Sequence, residues 1–228
     1  MSVGKADLHI HSTYSDGSAS VEAILAHVEQ RSDLDVIAIT DHDCLEGALR
    51  ARDRAAAKRM RVAVLVGVEI STRDGHLLAL GIERLIAADL SMAETVAAVH
   101  EQGGLAIAAH PLSWWCPSAS RAVLDALHTD LDGLEVLNGS FAGVPINWRL
   151  AALNAAHYGL AACGGSDAHT LNAIGSACTH FAGDSVGELL QAIRMRRTWA
   201  EGGLWSWRAF LQYGALAVRQ RVPSLRSA

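Results

Sequence analysis

The side chains that could bind a metal ion are concentrated in short clusters, most of which close an apolar run. Imidazole and carboxylate groups suit Zn, Mn or Fe, and the residue types do not choose among these metals. Together the clusters contain six histidines and at least three carboxylates, although no single cluster could bind a metal well. If the fold brings them together, a polynuclear metal centre results, and a hydrolase is the first hypothesis. The clusters are 7–11, 15–17, 40–43, 67–69, 75–76, 109–111 and 165–169.

Within three of the clusters, potential ligands are spaced two residues apart. Residues with this spacing on a strand point to the same face. Asp7, His9 and His11 are therefore predicted to share a face, where the two imidazoles could chelate one ion. Asp167 with His169, and Asp41 with Asp43, repeat this spacing. The other histidines have no acidic companion arranged for chelation and are interpreted as ordinary surface or capping residues: His27, His100, His128, His157 and His180.

Size and composition indicate a single globular domain over residues 1–228, half of which are hydrophobic. The net charge of −5 argues against a general nucleic-acid-binding surface. Four cysteines without C-x-x-C spacing argue against a zinc ribbon or a disulfide framework. The sequence starts without a secretory leader, and no apolar run reaches the roughly 18 residues of a membrane span. We therefore expect a soluble cytoplasmic protein with no membrane partner.

The apolar runs alternate between strand-like and helix-like spacing, which predicts a parallel sheet with helical crossovers. The predicted strands are 5–10, 35–40, 62–70, 76–82, 105–109, 133–137 and 160–164. The clearest helical stretches are 20–30, 45–60, 91–102, 118–128, 146–158 and 185–197. Capping boxes begin at Ser91 and Ser185, and Gly103 and Gly159 stand at helix ends.

The positions of the clusters favour a barrel over an open sheet. Each cluster lies at the carboxyl end of a predicted strand or just beyond it, except His76, which opens one. Only a closed or nearly closed barrel lets so many strand ends face one pocket, and sites at this rim are the rule for such barrels. The prediction is an α/β fold with a seven-stranded, TIM-like barrel.

The last part of the chain, residues 199–228, is predicted to be a C-terminal helical extension. It is rich in aromatic residues, and 204–219 has the spacing of an amphipathic helix. This helix is expected to pack on the barrel, with a dimer contact as the alternative.

The order of the motifs resembles that of the PHP superfamily, named for polymerase and histidinol phosphatase. The motifs are D-L-H-x-H-S, S-D-G, T-D-H-D, G-V-E, G-H, A-H-P and G-S-D-A-H, and the resemblance spans about residues 5–198. It implies a distorted TIM-like (β/α)7 barrel that binds three divalent metal ions (Zn, Mn or Fe) and hydrolyses phosphoesters.

The resemblance also implies three ligand sets. His9, His11, Glu69 and Asp167 match the ligands of a first ion. Glu69, His76 and His110 match those of a second ion, so that Glu69 would bridge the two. Asp16, His42 and His169 match those of a third ion, with Asp16 at a position where some members have histidine.

Further candidates lie close to these motifs in the sequence. Asp7 and Asp41 are predicted to orient histidine ligands or relay a proton, and His42 or His169 to protonate the leaving group if the third metal site is empty. The loops after the strands supply candidate substrate contacts. Arg73 could clamp a second phosphate, Trp114 and Trp115 could stack on a base or close a lid, and Asn138 could hydrogen-bond phosphate or sugar.

The leading functional hypothesis is hydrolysis of a small phosphorylated metabolite by metal-activated hydroxide. A nucleotide-type phosphomonoester or phosphodiester is the expected substrate, and no stable nucleic-acid partner is expected. A histidinol-phosphate phosphatase and a non-catalytic metal-binding module are the alternatives. A C–N hydrolase of the amidohydrolase type is disfavoured, because those barrels typically use a carbamylated lysine or a differently placed acid as the bridge. Here Glu69 takes that position, and no lysine ends a predicted strand. The oligomeric state is left open.

Overall fold

The computed structural model describes residues 2–144 and 146–221, and every predicted strand and helix forms within them. The strands are β1 (Val3–Ile10), β2 (Val36–Ile39), β3 (Ala63–Thr72), β4 (Gly75–Leu80), β5 (Leu105–Ala108), β6 (Gly133–Asn138), β7 (Ala161–Gly165), β8 (Ala177–Ala182) and β9 (Trp199–Gly202). The α-helices are α1 (Val21–Arg31), α2 (Glu46–Lys58), α3 (Met92–Glu101), α4 (Arg121–Leu127), α5 (Asn147–Leu153), α6 (Val186–Arg194) and α7 (Trp207–Arg221). None of the described helices is long and apolar enough to span a bilayer.

The first seven strands form a nearly closed barrel, which confirms the predicted α/β barrel fold. The strand order in the sheet is β7-β6-β5-β4-β3-β2-β1-β8-β9. β1 meets the segment after β7 through a parallel bridge between Ile10 and Ala168. The side chain of Thr179 on β8 also bonds both backbone groups of Gly164 on β7, at 2.8 and 2.9 Å. These contacts bring the carboxyl ends of β1 and β7 together at one rim.

One strand of the barrel is antiparallel to its neighbours, so the prediction of a parallel sheet is wrong for this strand. β4 is antiparallel to both β3 and β5. The cause is local, because only Arg73 and Asp74 separate β3 from β4. A link of two residues makes a hairpin, whereas a parallel crossover needs a dozen residues or more. The reversal brings the start of β4 to the rim where the neighbouring strands end, and His76 is the second residue of β4.

A β-bulge interrupts β1 where the metal-binding motif begins. Asp7 pairs with Ile37 and Ile10 pairs with Ile39, so two residues of β1 oppose one residue of β2. An extra residue shifts the alternation of side chains along a strand. Asp7 and His9 therefore do not share a face, and the prediction that Asp7, His9 and His11 lie side by side is wrong for Asp7.

Two apolar clusters cover the two faces of the sheet. One cluster packs the outer face against α1, α2, α3 and α4. The other lies inside the barrel, where Leu8, Leu65, Ile107 and Phe181 contact α6 residues such as Leu189. Burial of a leucine or phenylalanine side chain contributes about 1.5–3 kcal/mol. α6 follows β8, whose last residue pairs with the start of β1, so α6 covers the end of the barrel opposite the rim.

Two features of the local sequence stabilise the helices as predicted. Both capping boxes form, with Glu94 bonded back to Ser91 and Glu188 bonded back to Ser185. Gly103 and Gly159 adopt positive φ angles of 76° and 60° at the ends of their helices. These stops fix the point at which the chain turns into β5 and β7.

The C-terminal segment differs in part from the predicted helical extension. Residues Trp199–Gly202 form β9, which pairs with β8. Neither β8 nor β9 was predicted, and β9 has no alternation of buried and exposed positions that would reveal a strand. The segment also contains α7, whose aromatic residues Phe210 and Tyr213 contact Phe141 and His169 at the barrel rim. Residues 222–228 of the predicted extension lie outside the described residues.

Candidate metal centre

The carboxylate of Glu69 lies at the centre of a histidine cluster. Glu69 lies near the end of the buried run of β3 and is only 1% exposed. Its two oxygens face different imidazoles. Oε1 lies 2.9 Å from His76 Nδ1 and 2.9 Å from His110 Nε2, while Oε2 lies 3.1 Å from His9 Nε2, 3.2 Å from His42 Nδ1 and 3.3 Å from His11 Nε2. This arrangement is that of a carboxylate able to bridge two cations.

The carboxylate of Asp167 faces the imidazoles of His9 and His11, the two histidines of the β1 motif. Its Oδ1 lies 3.3 Å from His11 Nε2 and 3.6 Å from His9 Nε2. Among the described residues, these two Nε2 atoms are buried and have no hydrogen-bond partner. A buried polar nitrogen without a partner is costly, and two of them directed at carboxylates fit the binding of a cation between them. The donor set is therefore compatible with a divalent metal ion.

A third group of potential ligands lies on the open side of the cluster. His11, Asp16, His42 and His169 each offer an atom within 4.8 Å of the others. Asp16 Oδ2 is 3.2 Å from His169 Nε2, and the ring of His169 stacks on that of His11 with centroids 4.2 Å apart. The overlapping groups contain all nine residues predicted as ligands, so the structure brings them to one place.

Two of the clustered residues have strained backbone conformations. Asp167 has a φ of 53° and His110 a φ of 29°, although neither is a glycine. Such conformations cost of order 1–3 kcal/mol and persist where the surroundings enforce them. For His110 the restraint is a hydrogen bond from its backbone N–H to Glu135 Oε2, at 2.7 Å.

Glu135 on β6 supports the cluster from the side of His9 and His110. Its Oε1 is 3.0 Å from His9 Nδ1, and its Oε2 accepts hydrogen bonds from the backbone of His110 and from Asn138 Nδ2. A carboxylate on the far nitrogen of a histidine fixes the tautomer whose other nitrogen can bind a metal. Glu135 therefore presents His9 Nε2 to the centre.

Asn138 is buried below the pocket and does not line it, so this geometry does not support its predicted contact with substrate. Its side chain donates to Glu135 and, at 3.4 Å, to Asp167 Oδ2. Ser140 also lies 2.7 Å from Asp167 Oδ2. Both residues thus hold Asp167 in place, with its Oδ1 turned towards His9 and His11.

Asp7 is separated from the cluster, contrary to its predicted role in orienting histidines or relaying protons. Its Oδ1 accepts from the backbone N–H groups of Ser166 and His9, at 2.9 and 3.3 Å, and its Oδ2 accepts from that of Gly175 at 2.8 Å. Burial raises the pKa of Asp7 to about 6. Because of the bulge in β1, Asp7 joins β1 to the chain after β7 and accepts hydrogen bonds from the backbone rather than from an imidazole.

Asp41 is also buried, and it organises the loop that carries Asp16. It accepts from the backbone and hydroxyl of Ser12, at 2.7 and 2.6 Å, and from the hydroxyl of Ser15 at 2.6 Å. Ser15 in turn lies 3.5 Å from His11 Nδ1. Asp41 therefore reaches the histidines only through this serine.

The charges of the cluster are strongly coupled in the metal-free protein. Burial alone would lower the pKa of His9, but the carboxylates of Glu69, Glu135 and Asp167 outweigh it and hold the pKa well above the usual value. Burial would raise the pKa of Glu69, but His9 and the other imidazoles hold it well below the usual value. The cluster therefore retains protons that a bound metal ion would displace.

A pocket of about 270 Å³ opens above the cluster. Its lining includes His42, His76 and His169 from the cluster, and Trp205 and Tyr213 from the C-terminal segment. These two aromatic residues were not predicted as part of the site. The aromatic content of the segment was the only signal in the sequence that could have suggested them.

Two predicted substrate contacts lie away from this pocket. Arg73 is in the β3–β4 turn, where its guanidinium pairs with Glu94 at 3.1 Å. Trp114 is 71% exposed and packs on Trp115, with ring centroids 4.4 Å apart. Of the two tryptophans for which stacking was predicted, Trp115 lines the pocket and Trp114 does not, so the geometry favours Trp115 for that role.

Comparison with known proteins finds a matching family model and a similar archaeal protein. A family model described as PHP-associated matches residues 145–198. An uncharacterized protein of Methanocaldococcus jannaschii is 36% identical over 144 residues, which cover 59% of this chain and 81% of that protein.

Two named enzymes are similar over shorter stretches. The phosphoribosyl 1,2-cyclic phosphate 1,2-diphosphodiesterase of Eggerthella lenta is 40% identical over 34% of this chain and 30% of the enzyme. The 3′,5′-nucleoside bisphosphate phosphatase of Chromobacterium violaceum is 38% identical over 34% of this chain and 27% of the enzyme. The matches thus span less than a third of each named enzyme.

Solved structures share the fold at low sequence identity. A two-domain protein from Bacteroides vulgatus, containing a predicted PHP-like metal-dependent phosphoesterase, aligns with a TM-score of 0.69 and 22% identity over 89% of this chain and 65% of that one. An endonuclease Q in complex with a DNA duplex aligns with a TM-score of 0.64 and 16% identity over 85% of this chain and 57% of that one. The barrel, the clustered motifs and these relatives agree, and the chain belongs to the PHP superfamily of metal-dependent phosphoesterases.

Proposed function

We propose that this chain hydrolyses a phosphoester of a small metabolite at a centre of three divalent ions, Zn, Mn or Fe. The observation that carries the proposal is the position of Glu69, whose two oxygens face separate sets of imidazoles at 2.9–3.3 Å. His9, His11, Glu69 and Asp167 would hold one ion, and Glu69, His76 and His110 a second. The third set is Asp16, His42 and His169.

Ions bound there would lower the pKa of a coordinated water and neutralise phosphate oxygens. The chain's own residues set the geometry for that chemistry. Glu135 fixes the tautomer of His9, and Asn138 and Ser140 fix the orientation of Asp167. The hydroxyls of Ser12 and Ser15 on Asp41 hold the loop that presents Asp16.

A proton must reach the leaving oxygen when the ester bond breaks. His42 and His169 both line the pocket, which makes them the candidate donors. Burial lowers the pKa of His42, which disfavours its protonated form. Either histidine would take this role only when the third ion is absent.

The size of the pocket supports a small substrate over a polymer. A volume of about 270 Å³ accommodates a phosphoryl group with a compact organic part. The net charge of −5 also disfavours a stable nucleic-acid partner. The named relatives, a phosphoribosyl cyclic phosphate diesterase and a nucleoside bisphosphate phosphatase, support a nucleotide-type phosphomonoester or phosphodiester.

Phosphate release from defined esters tests the proposal. The purified chain would be stripped with a chelator and reloaded with Mn, Zn or Fe. It would then be assayed on p-nitrophenyl phosphate, bis-p-nitrophenyl phosphate, AMP, histidinol phosphate and a panel of amides. His9→Ala and Asp167→Asn should each lower the rate at least about 100-fold, because even the outer partners of metal ligands are worth 10- to 100-fold.

A matched control is His100→Ala, because His100 lies on α3 and pairs with Asp132 near the surface. It should change the rate by less than about two-fold, as expected for a surface pair. Amide cleavage without phosphate release would replace the proposal with an amidohydrolase. Bound metal without hydrolysis of any substrate would identify a non-catalytic module. A preference for histidinol phosphate would select that alternative.

A further inference from the structure

The pocket has two chemically different sides. The floor consists of the histidine and carboxylate cluster, and the rest of the lining includes Trp115, Phe141, Trp205 and Tyr213. Phe141 lies 6.2 Å from Trp115 between ring centroids, and Trp205 lies 5.3 Å from Tyr213. These four side chains are called the aromatic wall below. They lie close enough to one another to form aromatic pairs.

The aromatic wall is fixed to the loop that carries the predicted metal ligands. Trp205 is 4% exposed, and its Nε1 donates to the backbone oxygen of Ser166 at 2.6 Å, next to Asp167. Its backbone N–H donates to Gly139 at 2.7 Å. Tyr213 sits edge-on to His169 with ring centroids 5.2 Å apart. The distance between the wall and the floor is therefore set by the fold.

Two members of the wall remain accessible at the mouth of the pocket. Trp115 is 57% exposed and Phe141 is 46% exposed. Large aromatic side chains that are open to solvent beside a polar pocket offer π faces for a planar ring. Such a ring would lie above the floor while a phosphoryl group attached to it reaches the histidine cluster.

Among the described residues that line the pocket, none is a lysine or an arginine. Arg73, the cation predicted to clamp a second phosphate, pairs with Glu94 away from the pocket. Phosphate groups are normally bound through charge-assisted hydrogen bonds from such residues. A second phosphate would therefore have to lose water against aromatic carbon without a cationic partner, which is unfavourable.

We propose that the aromatic wall makes this site selective for phosphate monoesters whose uncharged leaving group carries a planar ring, as in a nucleoside monophosphate. The same wall disfavours bisphosphates. Trp115 and Phe141 are the specificity-determining residues. This inference rests on the proposed function, because it assumes that the cluster below the wall hydrolyses phosphoesters.

Steady-state kinetics on matched substrates test the inference. The Mn-loaded chain would be assayed with AMP, with adenosine 3′,5′-bisphosphate and with glycerol 3-phosphate, which has no ring. We expect the kcat/KM for AMP to exceed those of both other esters by about ten-fold or more, the order of one base–aromatic stack. Trp115→Ala should remove about ten-fold from the value for AMP and leave that for glycerol 3-phosphate within about two-fold.

A gain-of-function variant and a control complete the test. Phe141→Arg places a cation at the mouth and should raise the ratio of bisphosphate to AMP turnover several-fold. Trp148→Ala is the control, because Trp148 is 68% exposed on α5 and does not line the pocket. It should leave all three values unchanged.

The possible failures are distinguishable. If the wild-type chain releases no phosphate from any ester, the proposed function itself fails. If it hydrolyses all three esters equally, or prefers the bisphosphate, the proposed function survives and the role of the aromatic wall is wrong. Equal losses on AMP and glycerol 3-phosphate in Trp115→Ala would also overturn that role.

Discussion

Replacing Glu135 by glutamine should weaken metal binding without removing any predicted ligand. Glu135 uses two oxygens to serve three donors, and its side chain is 1% exposed. Oε1 faces His9 Nδ1 at 3.0 Å, while Oε2 accepts from the backbone of His110 at 2.7 Å and from Asn138 at 2.9 Å. Glutamine keeps the shape of the side chain but replaces one oxygen by an NH₂ group, which only donates.

The less costly orientation of that glutamine is the one that impairs His9. An NH₂ group at the Oε2 position would leave two donors, from His110 and Asn138, without an acceptor, at about 1–3 kcal/mol for each stranded group. An NH₂ group at the Oε1 position leaves no donor without an acceptor, provided that His9 changes tautomer and accepts a hydrogen bond at Nδ1. His9 Nε2 would then carry the proton and could no longer bind an ion. We expect metal affinity to fall about 10- to 100-fold, or roughly 1.4–2.8 kcal/mol.

Competition with a chromophoric chelator measures this affinity for the wild-type chain and for Glu135→Gln. Glu83→Gln is the matched control, because Glu83 is 67% exposed and pairs only with Arg52 on the surface. The control should bind metal as the wild type does, since exposed ion pairs contribute about 0–1 kcal/mol. An unchanged affinity in Glu135→Gln would refute the reasoning that this carboxylate sets the tautomer of His9.

Two other perturbations test the stability of the fold. Asp7→Ala should lower the free energy of unfolding by about 1–3 kcal/mol, because the buried N–H of Ser166 loses its acceptor. Its metal content should stay at the wild-type value, and loss of metal from a protein of unchanged stability would contradict the structure. In the metal-free chain burial lowers the pKa of His11, but Asp167 and Glu69 outweigh it and raise the pKa to about 9. The stability from this proton is complete below about pH 6.5 and is lost as the pH rises towards 9. The free energy of unfolding of chelator-treated protein, measured with denaturant, should therefore decline over that pH range. A free energy that does not change with pH would count against this role of His11.

The convergence of the motifs could be predicted from the sequence because each motif ends an apolar run, and strand ends meet at a barrel rim. His76 shows the limit of that reasoning. It was the one candidate that opened a strand, and the two-residue turn before β4 explains why that opening lies at the rim. The antiparallel direction of β4 was therefore implicit in the short spacing between β3 and β4.

Other features depend on contacts that no local pattern specifies. The bulge in β1 arises from pairing with β2, and it separates Asp7 from His9 although their spacing is that of neighbours on one face. Trp205 reaches the pocket through hydrogen bonds to Ser166 and to Gly139, both distant in sequence. Such long-range packing decides which aromatic residues of the C-terminal segment become part of the site.

Anomalous X-ray diffraction from crystals of the Mn- or Zn-loaded chain tests the central claim most directly. We expect two ions that share the carboxylate of Glu69, the first beside His9 and Asp167 and the second beside His110. A third ion is predicted beside Asp16. Metal peaks elsewhere on the barrel, with these side chains bound to no ion, would contradict it.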